Sequence, residues 1–258
     1  MLIKIDNKNL KLNFADGDYI GEIVKRTGEF YEISLLERAE LMFGKPRVVW
    51  DIGANVGNHS VYWGSSGSKV VAFEPNPKIY PMLLENVRTN LLEDCILINN
   101  LALGDKAGRV CMQIPDTSNY GTSRIVENTP EAFSDSVHIT RIDDFYKDTS
   151  GGLQADVLIP DLMKIDTEGY ELNVLQGASR FLSLHKPVVW VEIETTNRSK
   201  IDKMLNDFGY SYRFGPFGGS DNFFYSTTPP NCMHSLRCRI KSSVNRGRLK
   251  KLMRLFVN

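Results

Sequence analysis

Four short segments of the chain carry side chains whose types and spacing suit chemistry. The first is Asp51-Ile52-Gly53-Ala54-Asn55-Val56-Gly57, lying between an apolar run and a stretch with helical spacing. Glycines at such a point let the backbone turn tightly and bring the free N–H groups of a helix start close to a ligand. Asn55 tolerates a left-handed backbone better than most side chains. A dinucleotide-binding loop reads G-x-G-x-x-G and is shaped for a pyrophosphate. The G-x-N-x-G found here is one residue shorter, which suits a ligand without phosphates, such as a nucleoside carrying an amino acid. Asp51, Gly53, Ala54, Asn55 and Gly57 are therefore candidate binding residues.

The second segment, Phe73-Glu74-Pro75, ends the next apolar run. An acid at the tip of a second strand can accept both hydroxyls of a ribose; a solvated strand end is the alternative. Pro75 fixes the turn that follows. The third, Asn100-Leu101-Ala102, stands after a third run, where a base ring would lie. Asn100 and Ala102 are candidates to line that pocket, with a plain turn as the competing reading.

The fourth is Lys164-Ile165-Asp166-Thr167-Glu168-Gly169-Tyr170-Glu171, which sets three acids within six residues directly after a strand. Such crowding is unfavourable unless something cationic or proton-bearing meets it, and the carboxyl edge of an open α/β sheet is where ligands bind. Asp166 and Glu168 are candidates to hold an ammonium, orient a hydroxyl or act as general base. Glu171 is read as a helix cap. Glu192, in Val191-Glu192-Ile193-Glu194, comes beside Asp166 if their strands are neighbours. Two carboxylates leave a divalent cation open at Asp166 and Glu192. His59 lies one helical step past the first loop and His138 in an irregular region; each is read as structural or as a lesser catalytic candidate.

The elements that would position these groups follow from periodicity. Short apolar runs at 48–52, 69–73, 95–98, 162–165 and 188–193 read as strands buried on both faces. Residues 30–43, 77–90 and 199–208, and one stretch between 171 and 181, have helical spacing. Residues 210–214 and 222–226 read as a closing pair of strands. Strands alternating with helices imply a mostly parallel sheet with right-handed crossovers. Residues 2–14 alternate apolar and polar, as do Tyr19 and Ile20. Residues 1–45 are read as an N-terminal cap, 46–230 as the main domain, and 105–160 as inserted strands and loops over the ligand site.

The chain has 258 residues and no net charge, but eight of its Lys and Arg residues fall in 231–258, which holds no acid. The rest carries 23 bases against 31 acids, so an acidic body bears a basic tail. Within residues 236–256 apolar side chains recur at helical spacing among the bases. That pattern predicts a basic amphipathic helix, either docked on the body or lying on an anionic membrane surface. The main domain has no basic face, so nucleic acid is not an expected partner. No apolar run reaches the roughly 20 residues of a membrane span, and the N-terminus lacks the apolar core of an export signal. Four scattered cysteines without a CxxC pair fit a reduced, cytoplasmic protein.

The segments VVWDIGANVGNHS, AFEPNP, NLALGD, LMKIDTEGYELNVLQGA and VVWVEIE together resemble the FkbM-type methyltransferase family. Residues 164–178 are the most specific part, and the likeness covers about 48–226. The resemblance implies a Rossmann-like class I methyltransferase fold, with a mostly parallel seven-stranded sheet and helices on both faces. It implies S-adenosylmethionine as cofactor and methyl transfer to a hydroxyl of a sugar, glycolipid or polysaccharide-type acceptor. It assigns Asp51, Gly53, Asn55 and Gly57 to the cofactor loop, Glu74 to the ribose, and Asp166 and Glu168 to the family's D-x-E-G element. An oxidoreductase is disfavoured by the short loop and by the lack of a Tyr-x-x-x-Lys pair. A non-catalytic or nucleic-acid-directed cofactor binder is the other alternative.

Overall fold

The computed structural model describes residues 2–5, 8–115, 120–126, 136–150, 159–217 and 221–231; the basic helix expected over 236–256 lies outside the described residues. The chain opens with a hairpin, β1 (Leu2–Ile5) and β2 (Lys8–Lys11), followed by α1 (Tyr19–Thr27) and α2 (Ile33–Phe43). Strand and helix then alternate through β3 (Val48–Ile52), α3 (Asn58–Ser65), β4 (Lys69–Phe73), α4 (Tyr80–Thr89) and β5 (Ile96–Asn99). An excursion follows, with β6 (Ala102–Leu103), β7 (Gly108–Gln113), β8 (Arg124–Val126), β9 (Ser136–Thr140) and α5 (Ile142–Ser150). The chain closes through β10 (Leu162–Ile165), α6 (Glu171–Gly177), α7 (Ser179–His185), β11 (Val188–Glu192), α8 (Arg198–Asp207), β12 (Tyr212–Phe217) and β13 (Asn222–Ser226).

Seven strands form one sheet in the order β12-β13-β11-β10-β3-β4-β5. β11, β10, β3, β4 and β5 pair in parallel, and β13 runs antiparallel to both β11 and β12. Order reverses at β3. The chain steps outward to β4 and β5 on one side, then returns to β10 and β11 on the other. The carboxyl ends of β3 and β10 therefore flank a switch-point crevice, where open α/β sheets bind ligands. The excursion forms a second sheet, β6-β9-β7-β8.

The period of two along each strand separates two cores. Trp50, Ile52, Met163, Ile165, Val189 and Val191 face α5, α6, α7 and α8. Val49, Leu162 and Trp190 face α2, α3, α4 and the N-terminal segment. Asp51, Lys164 and Glu192 have the parity of the second face, so three ionisable side chains point toward α3 from adjacent strands.

Two elements differ from their sequence expectation. Residues 19–27 form a helix rather than continuing the alternation, because the Asp18 carboxylate accepts the Gly21 N–H at 2.7 Å and Gly28 ends the helix at φ 71°. The helical stretch after β10 is broken at Ala178 into α6 and α7. Asp143 of α5 accepts the Arg180 and Phe181 N–H groups at 3.1 and 2.8 Å, capping α7 from a neighbouring helix. Among the described residues no helix is long and apolar enough to cross a membrane.

Candidate active site

A cavity of about 330 Å³ opens over the carboxyl edge of the sheet, lined from β3, β4, β6, β10 and β11 and from the N-terminal segment. The loop after β3 forms its floor. Gly53 and Ala54 both donate N–H groups to the Phe73 carbonyl at 3.0 Å, which presses the loop onto β4. Asn55 sits in the left-handed region at φ 51° and Gly57 at φ 90°, as their residue types allow. Gly53, Ala54, Asn55 and Val56 line the cavity. Asp51 lies beneath it, fully buried, accepting the Ser60 hydroxyl at 2.6 Å. Gly57 is the residue before α3.

Glu74 is buried at the tip of β4, and its two oxygens accept the N–H groups of Asn55 (2.9 Å) and Asn76 (2.8 Å). Burial pushes its carboxyl up to about 7, against the pull of those two N–H groups. Pro75 lines the cavity with it. Asn100 donates its amide to the carbonyls of Glu74 and Pro75, at 2.9 and 3.2 Å, and so ties down the turn. The cavity wall beyond is Leu101, Ala102 and Leu103.

The acids after β10 are met in two ways. Lys164, only 2 % exposed, lies 3.0 Å from Asp166 Oδ2 and 3.9 Å from Asp51 Oδ1. Burial opposes the ammonium charge, but Asp166 and Asp51 hold it above the ordinary lysine value. Burial likewise opposes ionisation of Asp166, and the Lys164 charge overrides it and keeps that carboxyl low. Protons meet the rest. Burial and then the Asp166 charge push Glu192 up to about 8, and burial followed by Asp166 and Glu171 pushes Glu168 up to about 7. Glu192 shares a hydrogen bond with Asp166, so the two acids are neighbours in space.

Glu168 occupies the left-handed region at φ 53°. The loop that holds it there is organised by Glu171, whose Oε1 accepts the Thr167 N–H (2.9 Å), the Thr167 hydroxyl (3.0 Å) and the Gly169 N–H (3.0 Å). Glu171 thus binds the loop ahead of α6 more than the helix itself. At Asp166 the Lys164 ammonium supplies positive charge from within the chain. Among the described residues no group of three or more His, Cys, Asp or Glu side chains is arranged to hold a metal ion. His138 lies outside this cluster, 2.9 Å from Arg109 on β7.

Sequence reasoning missed the N-terminal contribution. Tyr19, Ile20, Tyr31 and Glu32 line the cavity. The Asn58 side chain grips the Tyr31 backbone through both its N–H and its carbonyl, each at 3.0 Å. Glu32 lies 3.3 Å from His59 Nε2 and accepts the Asn222 amide at 3.3 Å. No local signal marked Glu32 in the sequence, because its partners lie 27 and 190 residues away.

These protons make stability depend on pH. Glu192 has a raised folded value, so the unfolded chain releases its proton first as pH rises. Its contribution is complete below the unfolded value near 4.5 and is lost as pH climbs through about 8. The melting temperature of the unliganded protein is expected to fall between about pH 5.5 and 8.5, and Glu192→Gln to flatten that fall. Parallel curves for the two proteins in scanning fluorimetry would contradict the assignment.

Residues 51–212 match the methyltransferase FkbM domain. The chain is 27% identical over 190 residues to the hexuronic acid methyltransferase AglP of Haloferax volcanii, covering 73% of this chain and 72% of that protein. It is also 27% identical over 186 residues to the methyltransferase sdnD of Sordaria araneosa, covering 62% and 72%. A crystal structure of a methyltransferase FkbM from Methylobacillus flagellatus KT aligns with a TM-score of 0.49 at 20% identity, over 69% of this chain and 43% of that one. With its loop, its buried tip acid and its D-x-E-G element gathered around one crevice, and most of its length matched, the chain belongs to the FkbM methyltransferase family.

Proposed function

We propose that the protein is an S-adenosylmethionine-dependent O-methyltransferase acting on a hydroxyl of a sugar or glycolipid. One observation carries the donor assignment. Glu74 is buried at the tip of β4, yet it lines the cavity and is pinned by the N–H of Asn55, opposite Asp166 across the switch point. A carboxylate that already accepts two N–H groups still has lone pairs for two ribose hydroxyls. The chemistry of the set fits the donor: Glu74 for the ribose, Gly53, Ala54 and Asn55 for the amino-acid part, Pro75, Leu101 and Ala102 for the base, and ionised Asp166 for an ammonium. Asp51, Gly57 and Asn100 shape this pocket from behind. When bound, the sulfonium supplies an activated methyl group. The chain's task is then to align a hydroxyl with it. The sugar preference is supported by the name of the Haloferax volcanii relative.

Calorimetric titration tests the donor. S-adenosylhomocysteine is expected to bind in the micromolar range and NAD to give no heat. Glu74→Gln is expected to weaken binding by about 10- to 100-fold, because an amide keeps one acceptor oxygen where Glu74 uses two. Binding of NAD alone would overturn the proposal. For transfer, tritiated S-adenosylmethionine is incubated with whole-cell glycan and lipid fractions. Asp166→Asn is expected to cut the label transferred by about 100-fold or more, measured below the variant's own melting transition because the change also strands the Lys164 ammonium.

A further inference from the structure

Apart from Asp166 after β10, the proposed donor residues occupy the β3, β4 and β5 side of the crevice, which leaves the β11 and β13 side for the acceptor. Beside Glu192 and Glu194, part of the lining comes from outside the family match of 51–212: Tyr19, Tyr31, Glu32 and Asp221 also line the cavity. His59 completes it. The imidazole is 6 % exposed, lies edge-on to Trp190 of β11 at 5.5 Å, and faces the Glu32 carboxylate through Nε2 at 3.3 Å. At that distance Nε2 has no aligned hydrogen bond, a looseness common at catalytic contacts before substrate binds.

Glu32 is held with some force. Its backbone is left-handed at φ 56°, a conformation that is strained for a side chain of this kind and persists only where surroundings impose it. The preceding residue is clamped by Asn58. Its Oε1 accepts from Asn222, whose own Oδ1 accepts the Trp190 indole N–H at 2.5 Å. A carboxylate so fixed, aimed at a buried imidazole, is the arrangement that orients a base.

The acids at the ends of β10 and β11 are engaged elsewhere. Asp166 is occupied by Lys164 and by Glu192. Glu192 shares its hydrogen bond with Asp166, and Glu168 is set by the loop that Glu171 organises, with no oriented partner such as Glu32 gives His59.

We propose that His59, oriented by Glu32, is the base that accepts the proton of the acceptor hydroxyl. This rests on the methyl-transfer reading above. His59 takes the hydroxyl proton at Nδ1 as the oxygen bonds to the methyl carbon. The electron pair of the broken carbon–sulfur bond stays on sulfur, which becomes a neutral thioether. The positive charge passes to the imidazolium and is met by Glu32. The charged groups against the ring are Glu32 before α2 and Asp166 after β10, with Lys164 and Glu192 behind Asp166.

Two measurements test this. The first needs no acceptor: ¹⁵N NMR of histidine-labelled protein, with the His59 signals assigned by their loss in His59→Gln. Protonation at Nε2 is expected, changing to a mixture of tautomers in Glu32→Gln. A ring protonated at Nδ1 in the unaltered protein overturns the proposal. The second uses tritiated S-adenosylmethionine with methyl glucoside, methyl rhamnoside and methyl glucuronoside as probes. His59→Ala is expected to lower transfer at least about 100-fold, with about tenfold recovered by added imidazole, while S-adenosylhomocysteine affinity stays within about threefold in calorimetry. Transfer by His59→Ala at close to the normal rate overturns it. Failure of the unaltered protein to bind S-adenosylhomocysteine would refute the donor reading instead. If no probe is methylated, the NMR result decides.

Discussion

Replacing Lys164 with methionine is expected to lower the melting temperature by about 10 °C or more, the largest loss from any single polar side chain of the site. The ammonium lies between Asp51 and Asp166, 3.9 and 3.0 Å away, with 2 % of its surface exposed. Methionine fills much the same space but carries no charge. Asp51 would keep only the Ser60 hydroxyl, and Asp166 would be left to Glu192. Breaking a buried ion pair from one side typically costs about 3–5 kcal/mol, because the surviving charge stays buried and unmatched. The same logic predicts partial recovery in Lys164→Met/Asp166→Asn, where one stranded charge is removed as well. Thermal denaturation of the two variants decides: a double variant no more stable than the single one would show that packing, not charge, is what Lys164 supplies.

Gly53→Ala is expected to be at least as damaging, through a different cause. A Cβ at Gly53 would stand 1.7 Å from the Asp166 carbonyl oxygen, a backbone atom that cannot rotate away, and the residue has φ +82°. Either the loop after β3 lifts from β10 or β10 shifts, and both moves open the crevice. Gly28→Ala serves as the reference. It has a similar φ of +71° but nothing within 4 Å, so it should lose only the roughly 1–2 kcal/mol of left-handed strain. The expected result is a fall of a few degrees for Gly28→Ala, and of more than about 10 °C or insolubility for Gly53→Ala. Equal losses in the two variants would show that strain alone, and not the closeness of β10, explains the glycine.

The parts of this site that were legible in the sequence are those whose partners lie nearby along the chain. The apolar runs 48–52 and 162–165 had to be strands because nothing polar interrupts them except Asp51 and Lys164. The glycine loop and Glu74 followed from a strand-turn-helix rhythm. Parity alone places Leu162, Lys164 and Asp166 on one face. That Asp51 stands opposite Lys164 is a matter of register between strands 113 positions apart, and no local pattern encodes it. The same holds for Glu32, whose partners are His59 and, 190 residues away, Asn222. The helix at 19–27 was hidden for another reason: its start is marked only by Asp18, and Tyr19 and Ile20 extend the preceding alternation. The break at Ala178 was hidden because the cap for α7 is Asp143, on another helix.

The Glu32–Asn222 contact joins the first fifth of the chain to its last, around a middle that holds the glycine loop, Glu74 and the D-x-E-G element. In evolutionary terms this divides the enzyme's inheritance. On the reading proposed above, changes in the two flanks would retune which hydroxyl is presented, while the middle went on handling the same methyl donor. A lineage could acquire a new acceptor by rebuilding its edges and leaving its centre untouched.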